Sequence, residues 1–436
     1  MYNKSRPTTL FLIMLMLAGW MLIARADRPA TAQETTGYQS LQLFTDVLSI
    51  IRRSYVEEVD MKDLIHGAIN GMLVSLDPHS AFLPADLYSE LKIDTTGEFG
   101  GLGIEITIRE GVLTVVSPIE GTPADRAGLR AGDMIVKIED RLTKDMTIME
   151  AVRMMRGPKG TKVRITILRE SLVRPLELEI VREIIQVRSV KAQLLAENIG
   201  YVRIAQFQER THDDLMKALA GLRTENRRNL QGLVLDLRNN PGGLLDQAVK
   251  VADTFLKSGL IVYTDGREEG SQMRFSARAP RTEPDYPIVV LINGGSASAA
   301  EIVAGALQDH HRAVILGTQS FGKGSVQTII PMSDDTGLRL TTARYFTPKG
   351  TSIQAKGIVP DILVKPIEIS ETDEDSLVKE KDLTNHIDFE GPSETPAPPE
   401  QDFGLDETFR QDYPLMRALD LLKGWHLMKG LQYSAS

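Results

Sequence analysis

Three observations predict a multidomain α/β fold with α+β character. Between Val190 and Lys365, short apolar strand-like runs alternate with helical stretches, the pattern of a sheet with crossover connections. Gly97 to Glu183 reads instead as a compact β-rich unit with one helix. Ahead of both, Leu41 to Tyr88 repeats apolar residues at three- and four-residue steps, as helices do. At 436 residues the chain exceeds one ordinary core, so two or three units are expected.

At the N-terminus, Lys4 and Arg6 precede an apolar run from Leu10 to Ala24, which closes on Ala24-Arg25-Ala26. A charged start, a run of this length and an A-x-A pattern describe an export signal. The run is short of the roughly 20 apolar residues of a spanning helix. Residues 1–26 are therefore expected to be a cleaved signal, with an uncleaved anchor in the inner membrane as the alternative. Either way the body lies outside the cytoplasm, with a bacterial periplasm the expected compartment.

A helical region is expected over residues 38–92. Leu43, Val47, Ile50 and Ile51 form one apolar stripe, and Leu64, Ile65, Ala68, Ile69 and Met72 form another, which Asp77-Pro78 ends. Residues 93–185 form the β-rich unit: Gly101-Leu102-Gly103 leads into the alternating Ile104 to Ile108, and a helix lies near Met149 to Met155. Residues 186–366 form the α/β layer. Its strands are expected at Ile199 to Ile204, Leu233 to Leu237, Ile288 to Ile292 and Val314 to Leu316. Its helices are expected near Asp213 to Leu222, Leu244 to Leu256 and Ala299 to Gln308. The charged stretch Gly266 to Arg281 is expected to be a surface loop. Residues 367–410 are acidic and proline-rich, the composition of a flexible linker. Residues 411–432 recover helical spacing through Leu415, Leu419, Leu422, Trp425 and Leu427; the sequence does not say what that helix covers.

Composition excludes several chemistries. A net charge of −9 with no basic stripe argues against nucleic acid, whose phosphates need clustered Lys and Arg. With no cysteine there are no disulfides, thiolate nucleophiles or cysteine metal sites. The histidines are scattered without metal-ligand spacing, and nothing in the sequence calls for a metal or other cofactor.

The chemistry concentrates in two segments. Gly294-Gly295-Ser296-Ala297-Ser298-Ala299-Ala300-Glu301 follows the buried-strand run Ile288 to Ile292, and Ser320-Phe321-Gly322-Lys323-Gly324-Ser325-Val326-Gln327 follows it in turn, with Lys323 twenty-five positions after Ser298. Ser298 would stand at a strand-to-helix turn, where free backbone N–H groups can stabilise an oxyanion. A lysine can serve as its base once burial lowers the ammonium pKa. Gly317 to Lys323 matches seven positions of a phosphate loop, but Gly324 stands where Ser or Thr should hold magnesium, and a strand pattern follows. His310 and His311 lie one helix from Ser298, and no Gly-x-Ser-x-Gly elbow exists for a Ser-His-Asp triad. Asp309 is roughly 16 Å along the helix from Ser298, too far for a third catalytic member; it and Arg312 read as structural.

These segments resemble the carboxy-terminal processing peptidases, tail-specific serine proteases with a Ser–Lys dyad. Gly71-Met72-Leu73-Val74-Ser75-Leu76-Asp77-Pro78-His79-Ser80 and Asp236-Leu237-Arg238-Asn239-Asn240-Pro241-Gly242-Gly243 extend the resemblance from about Ser49 to about Lys365. Ala300 and Ser320 depart from the family's usual Ser and Thr. The resemblance implies a crotonase-like protease core with an inserted PDZ domain and N-terminal helices. It makes Ser298 the nucleophile rather than Ser296, Lys323 the base and Gln327 the residue that orients the lysine amine. Ala299 is the expected oxyanion donor, with Gly242 or Gly243 the second and Asp236 and Arg238 framing that loop. In the PDZ domain, Gly101, Leu102 and Gly103 would hold a terminal carboxylate. Ile104, Ile148 and Val152 would hold the last side chain, and Arg156 would either relay peptide occupancy between domains or stand as a solvated arginine. The implied function is an exported, ATP-independent endopeptidase acting on proteins or peptides with apolar C-termini. Homo-oligomerisation or an activating adaptor is a further expectation. Two rivals are a PDZ scaffold with an inactive protease body and a thioester enzyme on the same layer.

Overall fold

The computed structural model describes residues 31–144, 146–195, 198–226, 229–268, 272–278, 282–367, 409 and 411–434. The export segment and nearly all of the acidic linker lie outside the described residues. The first compact unit, ending at Phe82, contains α1 (Thr31–Ser54) and α2 (Met61–Val74). Asp60 caps α2, its carboxylate accepting from the Lys62 N–H at 2.6 Å. The Asp77 carboxylate accepts the N–H groups of His79 and Ser80, which makes the expected break at Asp77-Pro78 a turn. Along α1, Tyr38, Leu41, Phe44 and Ile50 face solvent. No described helix is long and apolar enough to cross a membrane.

After β1 (Ala81–Leu83), the second unit opens with α3 (Ala85–Thr96), which ends on Gly97 at φ +71°. The chain then enters a β-rich domain through β2 (Glu98–Gly101). The domain comprises β3 (Ile104–Arg109), β4 (Val112–Pro118), α4 (Pro123–Arg126), β5 (Met134–Ile138), β6 (Arg141–Leu142), α5 (Ile148–Met155), β7 (Lys162–Leu168) and β8 (Leu176–Val181). Its sheet runs β3-β4-β5-β7-β8 around a core that includes Leu102, Ile135, Ile138 and Ile165, so β3 is an edge strand. The chain leaves through β9 (Glu183–Gln186), which pairs antiparallel with β2.

The larger layer follows as β10 (Val190–Leu195), β11 (Ile199–Ile204), α6 (Thr211–Asn226), β12 (Gly232–Asp236), α7 (Leu245–Phe255), β13 (Leu260–Gly266), β14 (Arg274–Ser276), β15 (Ile288–Ile292), α8 (Ala299–Asp309), β16 (Val314–Gly317), β17 (Ser325–Pro331), β18 (Gly337–Phe346), β19 (Ile362–Leu363) and α9 (Tyr413–Ser434). One sheet has the order β10-β11-β12-β15-β16-β19, parallel from β11 onward. Its central strands β15 and β16 are apolar because both faces are covered there, whereas edge strand β10 exposes Lys191 and Gln193. Leu233, Leu235, Ile288, Val290 and Ile292 pack toward α6, α7 and α8, while Val234, Val289 and Leu291 pack toward α9. That assigns the C-terminal helix: Leu415, Ala418, Leu419 and Leu422 close the second core, each leucine contributing roughly 1.5–3 kcal/mol. The stretch expected as a loop from Gly266 to Arg281 is corrected in part, because Arg274–Ser276 pairs antiparallel with β13. β18 joins β13 to β17, so a long hairpin rises beside the parallel sheet.

Candidate active site

The C-terminal ends of β12, β15 and β16 converge on one edge of the parallel sheet, where α/β layers place their ligands. The loop after β12 carries Gly242 and Gly243, the turn after β15 carries Ser298, and the loop between β16 and β17 carries Lys323.

Ser298 occupies the residue before α8 with φ +56° and ψ −114°. This is a strained conformation for a residue with a side chain, costing of order 1–3 kcal/mol. The sequence lacks a nucleophile-elbow pattern, yet the backbone makes the same sharp strand-to-helix turn. The Ser298 side chain makes no cap hydrogen bond to the helix and lies beside the Tyr345 hydroxyl. Tyr345 in turn donates to the Lys323 carbonyl, and burial pushes the tyrosine hydroxyl far above its ordinary range. Ser296, the competing serine, is fully buried, donating to the Leu237 carbonyl at 2.8 Å and accepting from Asn293 N–H. It therefore serves the turn.

Glu301 organises the site, and sequence reading gave it no role. It is 1% exposed. One carboxylate oxygen accepts from the N–H groups of Ser298 at 2.7 Å and Lys323 at 2.9 Å. The other accepts from Gly322 N–H at 2.7 Å and the Ser320 hydroxyl at 2.6 Å. A buried carboxylate at a helix N-terminus is favourable, and this one ties the serine turn to the lysine loop. The loop that mimics a phosphate cradle thus binds a carboxylate of its own chain. The signal was present as the S-x-x-E spacing of Ser298 and Glu301. Ser320 keeps the hydroxyl this network uses, and Ala300 is buried in the core.

Lys323 is partly buried, and its ammonium has no hydrogen-bond or ion-pair partner among the described residues. Burial lowers its pKa first, Arg339 lowers it further, and the Glu301 charge opposes both. Gln327 does not reach the lysine. Its amide donates to Ser325 Oγ at 2.9 Å and Thr341 Oγ1 at 3.3 Å, beyond a register shift between Val326 and Gln327 that turns the side chain away.

The two glycines expected to supply the second oxyanion donor differ. Gly242 donates its N–H to Asn240 Oδ1 at 2.9 Å, which corrects its expected part as a free donor. The N–H groups of Gly243 and Ala299 have no acceptor among the described residues. Gly242 serves by its lack of a side chain: at φ +103°, a Cβ would lie 2.6 Å from Ser298 Cβ and 2.9 Å from the Ala297 carbonyl. Gly242→Ala is expected to lose about 2–4 kcal/mol of stability, and turnover with it, measured by urea unfolding beside an activity assay.

The remaining residues fall elsewhere. His310 bonds the Leu260 carbonyl, Arg312 donates to the carbonyls of Phe255, Pro284 and Tyr286, and Asp309 accepts from Lys349 N–H. In the β-rich domain, Ile104 lies on edge strand β3, and Ile148 and Val152 on α5, which packs beside it. Gly103, at φ +78°, lies against Thr122, where a Cβ would meet side-chain atoms at 2.4 Å. Gly101 closes β2 and Leu102 belongs to the domain core. Arg156 stacks over the Phe99 ring at 4.7 Å, beside the ribbon joining the two domains. A cavity of about 1060 Å³, lined in part by Ile288, Val314, Arg312 and Trp425, opens at the opposite ends of the strands and contains none of the site residues.

Comparison with known proteins matches peptidase family S41 over residues 198–364, a PDZ domain over 114–169 and the activating protease CtpB N-terminal domain over 18–86. The chain is 48% identical over 399 residues to the carboxy-terminal-processing protease of Bartonella bacilliformis, covering 89% of this chain and 92% of that one. It is 37% identical over 359 residues to the carboxyl-terminal-processing protease of Synechocystis sp., covering 80% of each. Among solved structures it is similar to a photosystem II D1 C-terminal processing protease, 30% identical, with a TM-score of 0.43 over 74% of this chain and 93% of that one.

Proposed function

The chain belongs to the carboxy-terminal-processing proteases of peptidase family S41, a serine protease family, and from that premise we propose that Ser298 and Lys323 form its catalytic dyad. One observation carries the reading: a single buried carboxylate oxygen holds the backbones of both residues, and the lysine beside it is partly buried with no ion-pair partner among the described residues.

In the first step neutral Lys323 takes the Ser298 proton and the serine oxygen attacks the scissile carbonyl. The N–H groups of Ala299 and Gly243 receive the oxyanion. Lys323 then passes its proton to the leaving amine, and water, with the same base, hydrolyses the acyl ester. Two side chains first reorient: Ser298, which reacts, turns from Tyr345, and Gln327 turns from Ser325 to hold the lysine amine. Loose geometry of this kind is common before substrate binds.

The PDZ domain supplies substrate. A free carboxyl terminus binds the amides near Leu102 and Gly103, the tail adds along edge strand β3, and its last apolar side chain enters between Ile104, Ile148 and Val152. The N-terminal pattern of charge, apolar run and A-x-A supports export to the periplasm. The exposed apolar side of α1 and the match to an activating protease's N-terminal domain support association with an adaptor or a second copy.

The test is cleavage of an unfolded reporter ending in an apolar residue, with a free or an amidated terminus. Wild type is expected to cut the free-tailed reporter faster, and Ser298→Ala to cut neither. Equal rates on both tails would remove the PDZ capture step. Tail binding without cleavage by wild type would make the protein a scaffold or a protease awaiting a partner.

A further inference from the structure

Asp412 lies 174 positions after Arg238, immediately before α9, yet the two form a two-pronged ion pair. Arg238 Nη1 reaches Asp412 Oδ1 at 2.7 Å and Nη2 reaches Oδ2 at 2.6 Å. The same guanidinium reaches back to Asp236, Nε to Oδ1 at 3.0 Å and Nη2 to Oδ2 at 2.6 Å. Asp236 is fully buried and also accepts from the Tyr201 hydroxyl at 2.8 Å. Arg238 is thus held between two carboxylates, one at the end of the strand before it and one just ahead of the C-terminal helix. Such bidentate pairs fix geometry as well as adding energy.

Arg238 opens the loop that ends at Gly243. The loop is tied to the serine turn at three points. Leu237 O accepts the Ser296 hydroxyl, Asn239 exchanges bonds with the Asn293 side chain, and Asn240 O accepts Ala297 N–H at 2.9 Å. On its other side the loop is anchored by Arg238. We infer that Asp412 is a positioning residue: through Arg238 it sets the oxyanion loop against Ser298, which makes the C-terminal helix part of the catalytic scaffold. This rests on the dyad reading above and extends it to a segment outside the matched peptidase region.

The plain alternative is that Asp412 only caps α9, since its Oδ1 also accepts from Leu415 N–H at 3.2 Å. Asp412→Asn separates the two roles. Asparagine keeps a cap acceptor but removes the charge and one of the two acceptors facing Arg238. The apolar side of α9 remains to hold the helix. Leu419→Ala is the converse variant, loosening the helix core without touching the pair.

For Asp412→Asn the expected result is a fall in kcat of about ten- to a hundredfold. KM should stay within about twofold, and the variant should remain folded at the assay temperature with a melting temperature lowered no more than that of Leu419→Ala. Labelling of Ser298 by a fluorophosphonate, which also needs the oxyanion donors, should slow by a similar factor. Leu419→Ala should lower the melting temperature and keep kcat at temperatures where it is folded. Asp412→Glu, which retains the charge, should recover part of the loss. Full kcat in Asp412→Asn overturns the inference, and so does an equal kcat loss in folded Leu419→Ala. Turnover by wild type and none by Ser298→Ala upholds the dyad reading whichever way Asp412 falls.

Discussion

Lys323→Met is expected to abolish turnover, lowering kcat/KM by at least about 10⁴-fold, while raising thermal stability. Loss of the base leaves Ser298 with no group to take its proton, and single losses within such a unit cost about this much. The gain in stability follows from the lysine's environment. Burial holds its pKa below the ordinary 10.5, so the unfolded chain binds this proton more tightly than the folded one. Wild-type stability therefore rises with pH between the lowered native value and 10.5, and the penalty is largest below that native value. Methionine has the stem without the charge. The difference in melting temperature between variant and wild type should be greatest at low pH and close as pH rises through the lysine range. Turnover by wild type should show the matching limb, falling toward acid as the amine protonates. A flat acid profile, or an active Lys323→Met, would rule out lysine as the base.

Glu301→Gln is expected to lower kcat by about 10²–10³-fold and stability by about 2–5 kcal/mol. Four donors converge on the carboxylate, and an amide has only one oxygen. Its NH₂ group must face one pair of donors, leaving them buried and unpaired at about 1–3 kcal/mol each. Because those pairs belong to both the serine turn and the lysine loop, the two shift apart, and a displacement near 1 Å costs about a hundredfold. The acid limb offers an independent readout. Glu301 raises the Lys323 pKa by its charge while Arg339 lowers it. The limb should move to lower pH in Glu301→Gln and to higher pH in Arg339→Gln. An unmoved limb in both would mean that the titrating group is not Lys323.

Much of this was legible from local pattern. Ile288 to Ile292 is apolar at every position because α helices cover both faces of the sheet, and a strand buried on two sides has no alternation to lose. Ser298 and Lys323 stood out through the small residues around them, since a tight turn and a close approach admit little else. Gln327 was legible as a residue but not as a conformation: a register shift within the hairpin, invisible in the sequence, turns it toward Ser325. Glu301 was visible as a cap three residues after Ser298, but not as the link to a loop twenty-two positions on.

By itself the sequence determined the central strands and the helices of the α/β layer, that a serine follows a buried strand, and that a lysine lies in a glycine-flanked loop. These depend on periodicity and residue size over a few neighbours, and on motifs that matched a family. Tertiary structure decided which glycine keeps a free N–H, which hydroxyl is walled into the turn, and where the last helix goes. Each depends on a partner distant in the chain. The choice between Gly242 and Gly243 was made by Asn240 Oδ1, and the place of α9 by Val234, Val289 and Leu291 together with Arg238. Hydrogen bonds and packing are contacts in space, and periodicity along the chain carries no record of which distant groups will meet.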